Sequence, residues 1–184
     1  MTPTTPALKE WSAAVHALLD GRQTVLLRKG GIGEKRFEVA SSRFLLFPTV
    51  AHSHGERVRP EHRGLLVGSA ADSTDDEVVV RAGARVVAAI AVQRPDALEA
   101  IAPLHIWTAD SVQTDRVDFR PKHRLTVLVI SAAPLREPVR LPRTPDYRGC
   151  TSWVQLPVQP LWSEPVHTDE ELADIAALVR ASVG

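Results

Sequence analysis

The chain has 184 residues, 44% of them hydrophobic, and its 22 basic and 22 acidic residues cancel to a formal net charge of zero. That length buries one ordinary core, and the charge balance excludes a broadly cationic nucleic-acid binder while leaving room for a polarised one. The single cysteine, Cys150, excludes an internal disulfide and a multi-thiolate zinc site, in keeping with a reducing compartment.

The opening MTPTTPALKE lacks the basic and apolar regions of a signal peptide, and no apolar run approaches the roughly 20 residues of a membrane span. A cytoplasmic location without a membrane partner is therefore expected. Thr5 is placed to cap a first helix with Pro6 at its first position, and Leu8, Trp11, Val15, Leu18 and Leu19 recur at the spacing of one helical face until Gly21 stops it. Gln23 to Lys29 reads as a strand, followed by a loop with Gly30, Gly31 and Gly33 and by strands near Arg36–Val39 and Arg43–Thr49. After the acidic turn at Asp72–Glu77, Gly83 breaks VVVRAGARVVAAIAV, which predicts a bent or bulged strand pair.

Pro95-Asp96 opens a short helix through about Ile101, and Thr108 caps another from Ala109 to about Arg116. LTVLVISA is the clearest buried strand, and Pro134 and Pro138 are expected to end it, with later prolines keeping the following segment extended or turned. Thr168 and Glu171 form a capping box before an amphipathic terminal helix carrying Leu172, Ile175, Ala176, Leu178 and Val179. This order predicts an α+β fold, a mixed sheet or small barrel flanked by N- and C-terminal helices. Residues 1–184 are expected to form one domain, with 134–184 as a Pro-rich extended segment and C-terminal helix packed on it.

Charge is unevenly spread. Residues 21–63 hold nine Arg or Lys against four acids, a net of about +5, and further bases gather at Arg116, Arg120, Lys122 and Arg124 and at Arg136, Arg140, Arg143 and Arg148. Such blocks suit either an anion-facing surface or plain solvation. Arg22, Arg28, Lys29 and Arg43 lie on or beside the early strands, and a glycine-rich loop there lets the backbone approach a phosphate, or simply closes a hairpin with solvated ends. Arg28 and Lys29 point to opposite faces unless the strand ends between them. His52, with Arg57, Arg59 and Arg63 after it, suits base and phosphate recognition, and Trp107 or Trp153 would be a stacking platform if exposed.

Competing chemistry is weaker. His52, His54 and Glu56 would share one face of a strand as a minimal metal set, but Pro48 and Gly55 suggest a loop, and no metal is expected. Cys150 reads as a packed thiol rather than a nucleophile. Asp20 with Glu34-Lys35-Arg36 imitates the acids of a two-metal nuclease, yet arginine at the end of the string is no general base.

The motifs LKEWSAAVHALLDGRQTVLLRKGGI, RFLLFPT followed by His52, HIW at 105–107 and YRGCTSWVQL at 147–156 resemble a bacterial family of unknown function over nearly the whole chain. A more distant likeness is to ASCH domains of the PUA-like superfamily: a helix leads into DGRQTVLLR, and HIW with RPKHRLTVLVISAAPLREPV fits that superfamily's final strands. The resemblance implies a small β-barrel with flanking helices, a type that often binds RNA or modified bases. Thr24 and Arg28 match the ASCH pattern, whereas Gln23 and Leu26 stand where the small ASCH amidohydrolases have a catalytic lysine and threonine. Neither can replace those groups, so the resemblance carries over binding and not that catalysis.

The expected function is a nucleic-acid or nucleotide-binding module, for RNA, a single strand or a modified base, without catalysis or cofactor. A metal-dependent nuclease or other hydrolase is the alternative. A protein-interaction adaptor using 134–165 or the last helix is the third reading.

Overall fold

The computed structural model describes residues 2–30 and 36–184. Of the glycine-rich loop, Gly31 and Gly33 lie outside the described residues, as do Glu34 and Lys35 of the nuclease-like string. Six strands form one sheet: β1 (Thr5–Trp11), β2 (Val25–Lys29), β3 (Arg43–Thr49), β4 (Glu77–Ala91), β5 (Leu125–Pro142) and β6 (Trp153–Leu156). Their order is β2-β5-β4-β3-β1-β6, antiparallel except for the parallel pair β1 and β3. Five α-helices accompany them: α1 (Ser12–Leu19), α2 (His54–Arg57), α3 (Leu65–Ala70), α4 (Ala109–Val112) and α5 (Asp169–Val183). The class is α+β, as the sequence predicts.

The sheet rolls. Four strand spacings separate β2 from β1, about 19 Å in a flat sheet. Instead Arg28 Nη1 of β2 lies 2.9 Å from the Lys9 carbonyl oxygen and 3.3 Å from Glu10 Oε2, both on β1. Inside the roll Leu8, Leu18, Leu26, Phe44, Leu46, Leu128 and Ile130 form one buried cluster. Period-two alternation sends Val25, Leu27, Val127 and Val129 to the other face, where Leu172, Ala176, Val179 and Val183 of α5 cover them. Each fully buried Leu or Val of α5 contributes about 1.5–3 kcal/mol relative to exposure. Thr168 Oγ1 accepts the Glu171 N–H at 3.2 Å, a cap that contributes about 1 kcal/mol. The second half of the box is used differently, because Glu171 Oε2 partners His167 Nδ1 at 3.0 Å.

Several expectations are corrected. Thr5–Trp11 is a strand, since Ala7 and Leu8 are both fully buried on opposite faces between β3 and β6; the ladders on both sides override the helical spacing. The helix starts only at Ser12, and Gly21, at φ 77°, ends the turn after it. VVVRAGARVVAAIAV is one 15-residue strand with two irregularities rather than a pair. Near Arg36 only an isolated bridge to Arg124 forms. β5 does not stop at Pro134. Ala82 pairs with Pro134 and Val80 with Val139, so residues 135–138 bulge away from β4 and bond the chain at 161–163. The prolines bracket that excursion, where a missing N–H interrupts no continuous ladder.

His52, His54 and Glu56 share no strand face, because His54 opens α2. Among the described residues no group of three His, Cys, Asp or Glu side chains is placed to hold a metal ion, and no helix is long and apolar enough to cross a membrane.

Candidate anion-binding cleft

Lys29 ends β2, so the alternation that would separate it from Arg28 stops there, and both side chains line one cleft of about 250 Å³. Trp11, at the end of β1, forms part of the wall. Opposite stand Asp115, Arg116, Phe119 and Arg120, and Cys150 and Ser152 close the side nearest β6. Four cations thus face one carboxylate, and Asp115 is itself paired with Arg57 at 3.1 Å.

The far wall is built by an irregular helix end. Thr108 caps α4 through the Ser111 N–H at 3.1 Å, as the sequence predicts, but after Val112 the backbone widens into a π turn, Gln113–Val117. Such bulges re-aim side chains and recur at functional sites. The chain then turns through Arg120, at φ 49° the one non-glycine residue with positive φ among the described residues. Left-handed backbone costs a residue with a Cβ about 1 kcal/mol or more, so the surroundings must hold it. They do so through Lys29, whose Nζ donates to the carbonyls of Val117, Phe119 and Arg120 at 3.0, 2.6 and 3.1 Å. Arg120 Nη1 in turn donates to the Gly30 carbonyl at 3.2 Å. Lys29 therefore spends its three donors on backbone and serves as a pin; burial lowers its pKa, with Asp118 opposing.

Arg116 is the least satisfied cation. Its Nε is buried without a hydrogen-bond partner, and Nη1 reaches only the Asp115 carbonyl at 3.4 Å. Burial holds it below the usual arginine value, Glu10 opposing and Arg28 reinforcing the shift, yet arginine starts so high that it stays charged. A desolvated, under-bonded guanidinium is stabilised by any anion brought beside it. Arg28 is better held. Glu10, only 3% exposed, accepts from the Trp11 N–H at 2.9 Å and from Arg28, and the Arg28 guanidinium lies 5.1 Å from the Phe37 ring centre.

Aromatic surface is supplied by Phe119, which is 52% exposed at the cleft edge. The tryptophans are committed elsewhere. Trp11 stacks on His54 at 3.9 Å and meets Trp107 edge-on at 4.9 Å. Trp107 is buried, and Trp153 packs on Phe37 and Phe44 while its Nε1 donates to the Glu38 carbonyl.

The remaining residues singled out in the sequence are dispersed. Arg22 pairs with Asp20, and Thr24 is buried with its hydroxyl unpartnered. Arg43 lies 3.7 Å from the Trp162 ring centre, and Arg57 lies over Trp11. Arg59 gives its guanidinium to the carbonyls of Ala102, His105 and Trp107, which makes it a staple beside a smaller cleft of mixed charge. Arg63 bonds the Val58 carbonyl, and His52 and Glu56 are exposed. His54 is buried, lowered to about 4 by burial and Arg57, and its Nε2 accepts the Ala51 N–H; it is neutral at pH 7. Among the described early basic residues only Arg28 and Lys29 reach the cleft. Its other cations come from RVDFRPKHR at 116–124, a basic cluster visible in the sequence whose interleaved Phe119 was the available signal.

A rolled mixed sheet with a cationic cleft at the mouth between β1 and β2 is the class of protein that fold and site define. The chain belongs to the family described as "Domain of unknown function (DUF1802)", which matches residues 7–177. No curated protein matches it. Among solved structures it is similar to ASCH from Zymomonas mobilis, at 14% identity over 94% of each chain with a TM-score of 0.47. Two mutant forms of that protein give the same TM-score of 0.47 at 12% and 14% identity, covering 93–94% of this chain and 94–96% of theirs.

Proposed function

We propose that this chain is a cytoplasmic binding module for phosphate-bearing nucleotides or nucleic acid, and that it holds its ligand in the cleft between Arg28, Arg116 and Arg120 without catalysing a reaction. The supporting observation is the excess of cations lining the cleft, where Asp115 is already paired with Arg57 and Glu10 with Arg28, and where the Arg116 Nε is buried and unpartnered. A phosphate oxygen accepts from guanidinium groups at short range in a partly desolvated site, where charge-assisted bonds are strongest. Phe119 offers a face on which a base stacks. In this reading Arg28, oriented by Glu10, contacts phosphate, and Lys29 contributes by holding the opposite wall.

Fluorescence anisotropy with a labelled, mixed-sequence single-stranded 10-mer tests this reading. Affinity is expected to fall linearly on a log–log salt plot, by about 0.7 per phosphate contacted. Arg116→Gln and Arg120→Gln are each expected to weaken binding about tenfold or more with circular dichroism unchanged. Salt-independent affinity, or full binding by both variants, would refute the proposal, and cleavage of the oligomer that EDTA abolishes would place the chain among metal-dependent nucleases instead.

A further inference from the structure

Behind the ridge that forms the far wall lies a second cleft, of about 280 Å³, lined by Lys122, His123 and Arg124 on the ridge side and by Val92, Gln93 and Pro95 on the other. Among the described residues no carboxylate lines it. Lys29 lines both clefts, because the segment it pins is their common wall. Along that segment the bases divide: Arg116 and Arg120 face the first cleft, Lys122 and Arg124 the second. The one acid between 116 and 124, Asp118, is engaged by Gln113 Nε2 at 2.8 Å. Phe119 lines the first cleft and not the second, half exposed, with the Arg120 guanidinium 4.9 Å from its ring centre.

Resting on the function proposed above, we infer that the second cleft is a second phosphate subsite and that the ligand is a single-stranded polynucleotide crossing the ridge. A mononucleotide satisfies one cleft only. A strand with successive phosphates engages both, and the second contact is made at the high effective concentration set by its connecting nucleotides. The exposed aromatic at the edge of the first cleft selects a strand whose bases are free to unstack, because a paired base presents no open face to Phe119. The arrangement is two charged clefts with an aromatic surface beside the first, which tolerates sequence and measures length.

The experiment compares a nucleoside 5′-monophosphate with a single-stranded 8-mer on the full chain. The 8-mer is expected to bind about 30-fold tighter or more. The double variant Lys122→Ser/Arg124→Ser, at exposed positions, is expected to remove about tenfold of the 8-mer affinity, reduce the salt slope by about 1.4 and leave the monophosphate unaffected. Phe119→Ala is expected to cost about fivefold or more on the 8-mer with the salt slope intact. Unchanged 8-mer binding by the double variant overturns the second subsite while the first cleft stands. Equal competition by a polyglutamate peptide of the same charge overturns the polynucleotide assignment. Failure of both monophosphate and 8-mer to bind overturns the underlying function as well.

Discussion

Replacing Lys29 with methionine separates two roles that a lysine in a basic segment can have. If it contacts ligand directly, Lys29→Met removes a charge and leaves the fold alone. The hydrogen bonds predict otherwise: the carbonyls of Val117, Phe119 and Arg120 lose their donor together. A bond to a charged group contributes about 1.5–3 kcal/mol when buried, and water replaces part of it at this partly open site, so about 1 kcal/mol each is reasonable. The total, about 3 kcal/mol, equals a factor of about 100 in the local opening equilibrium. Arg120, held at φ 49°, relaxes as well. Hydrogen exchange followed by mass spectrometry is expected to show amides of residues 113–123 exchanging about 100-fold faster, with β4 and β5 unaffected. Oligonucleotide binding falls with them because the wall carrying Arg116 and Arg120 loosens. Weaker binding with exchange unchanged would refute the pin and make Lys29 a direct contact.

Two further perturbations test the frame around the cleft. Asp72, 1% exposed, accepts Arg81 Nε at 2.8 and 2.9 Å and lies 2.6 Å from His16 Nε2. Burial alone raises its pKa, but the hydrogen bonds from His16 and Arg81 and the Arg81 charge outweigh that, and the net shift is downward. Its stabilisation is therefore complete above the unfolded aspartate value of about 3.9 and is lost as pH falls through the lower folded value. Asp72→Asn is expected to cost about 2–4 kcal/mol at pH 7 in urea unfolding and to flatten the loss of stability below pH 4; an unchanged acid limb would argue against it. At Gly83 an added Cβ would lie 2.2 Å from the Trp162 ring. Gly83→Ala is expected to displace that ring from beneath Arg43, red-shift its fluorescence and destabilise by about 1–3 kcal/mol, which thermal unfolding with emission spectra measures.

Local signals survived where local physics decides. Thr108 and Thr168 cap helices because a hydroxyl three residues from an orphan N–H needs no distant partner. LTVLVISA is a strand because every side chain from Leu125 to Ala132 is buried, whichever face it takes. The sequence misleads where distant partners decide. Leu8, Trp11, Val15 and Leu18 sit at helical spacing, yet β3 and β6 claim the first two. Pro134 reads as a stop, but a bulge toward Trp162 absorbs it. At the cleft, the charge excess of 21–63 includes the strand end that lines it, Arg28 and Lys29, but also residues placed elsewhere: Arg59 spends its guanidinium on three carbonyls and Arg63 is exposed outside the cleft, placements composition does not reveal. Arg116 and Arg120 reach the cleft only through a π turn and a left-handed residue, neither of which has a sequence signature.

The position of β1 has a consequence for biogenesis. Ala7 aligns with Leu45 on one side and with Val154 on the other. A nascent chain therefore satisfies the first edge early, whereas the second stays open until residues 153–156 leave the ribosome. Loop-closure entropy opposes so long a connection, and an unpaired edge is a template for wrong partners. While the residues between β1 and β6 are made, β1 keeps one edge open to wrong partners, and that edge closes only when β6 captures it.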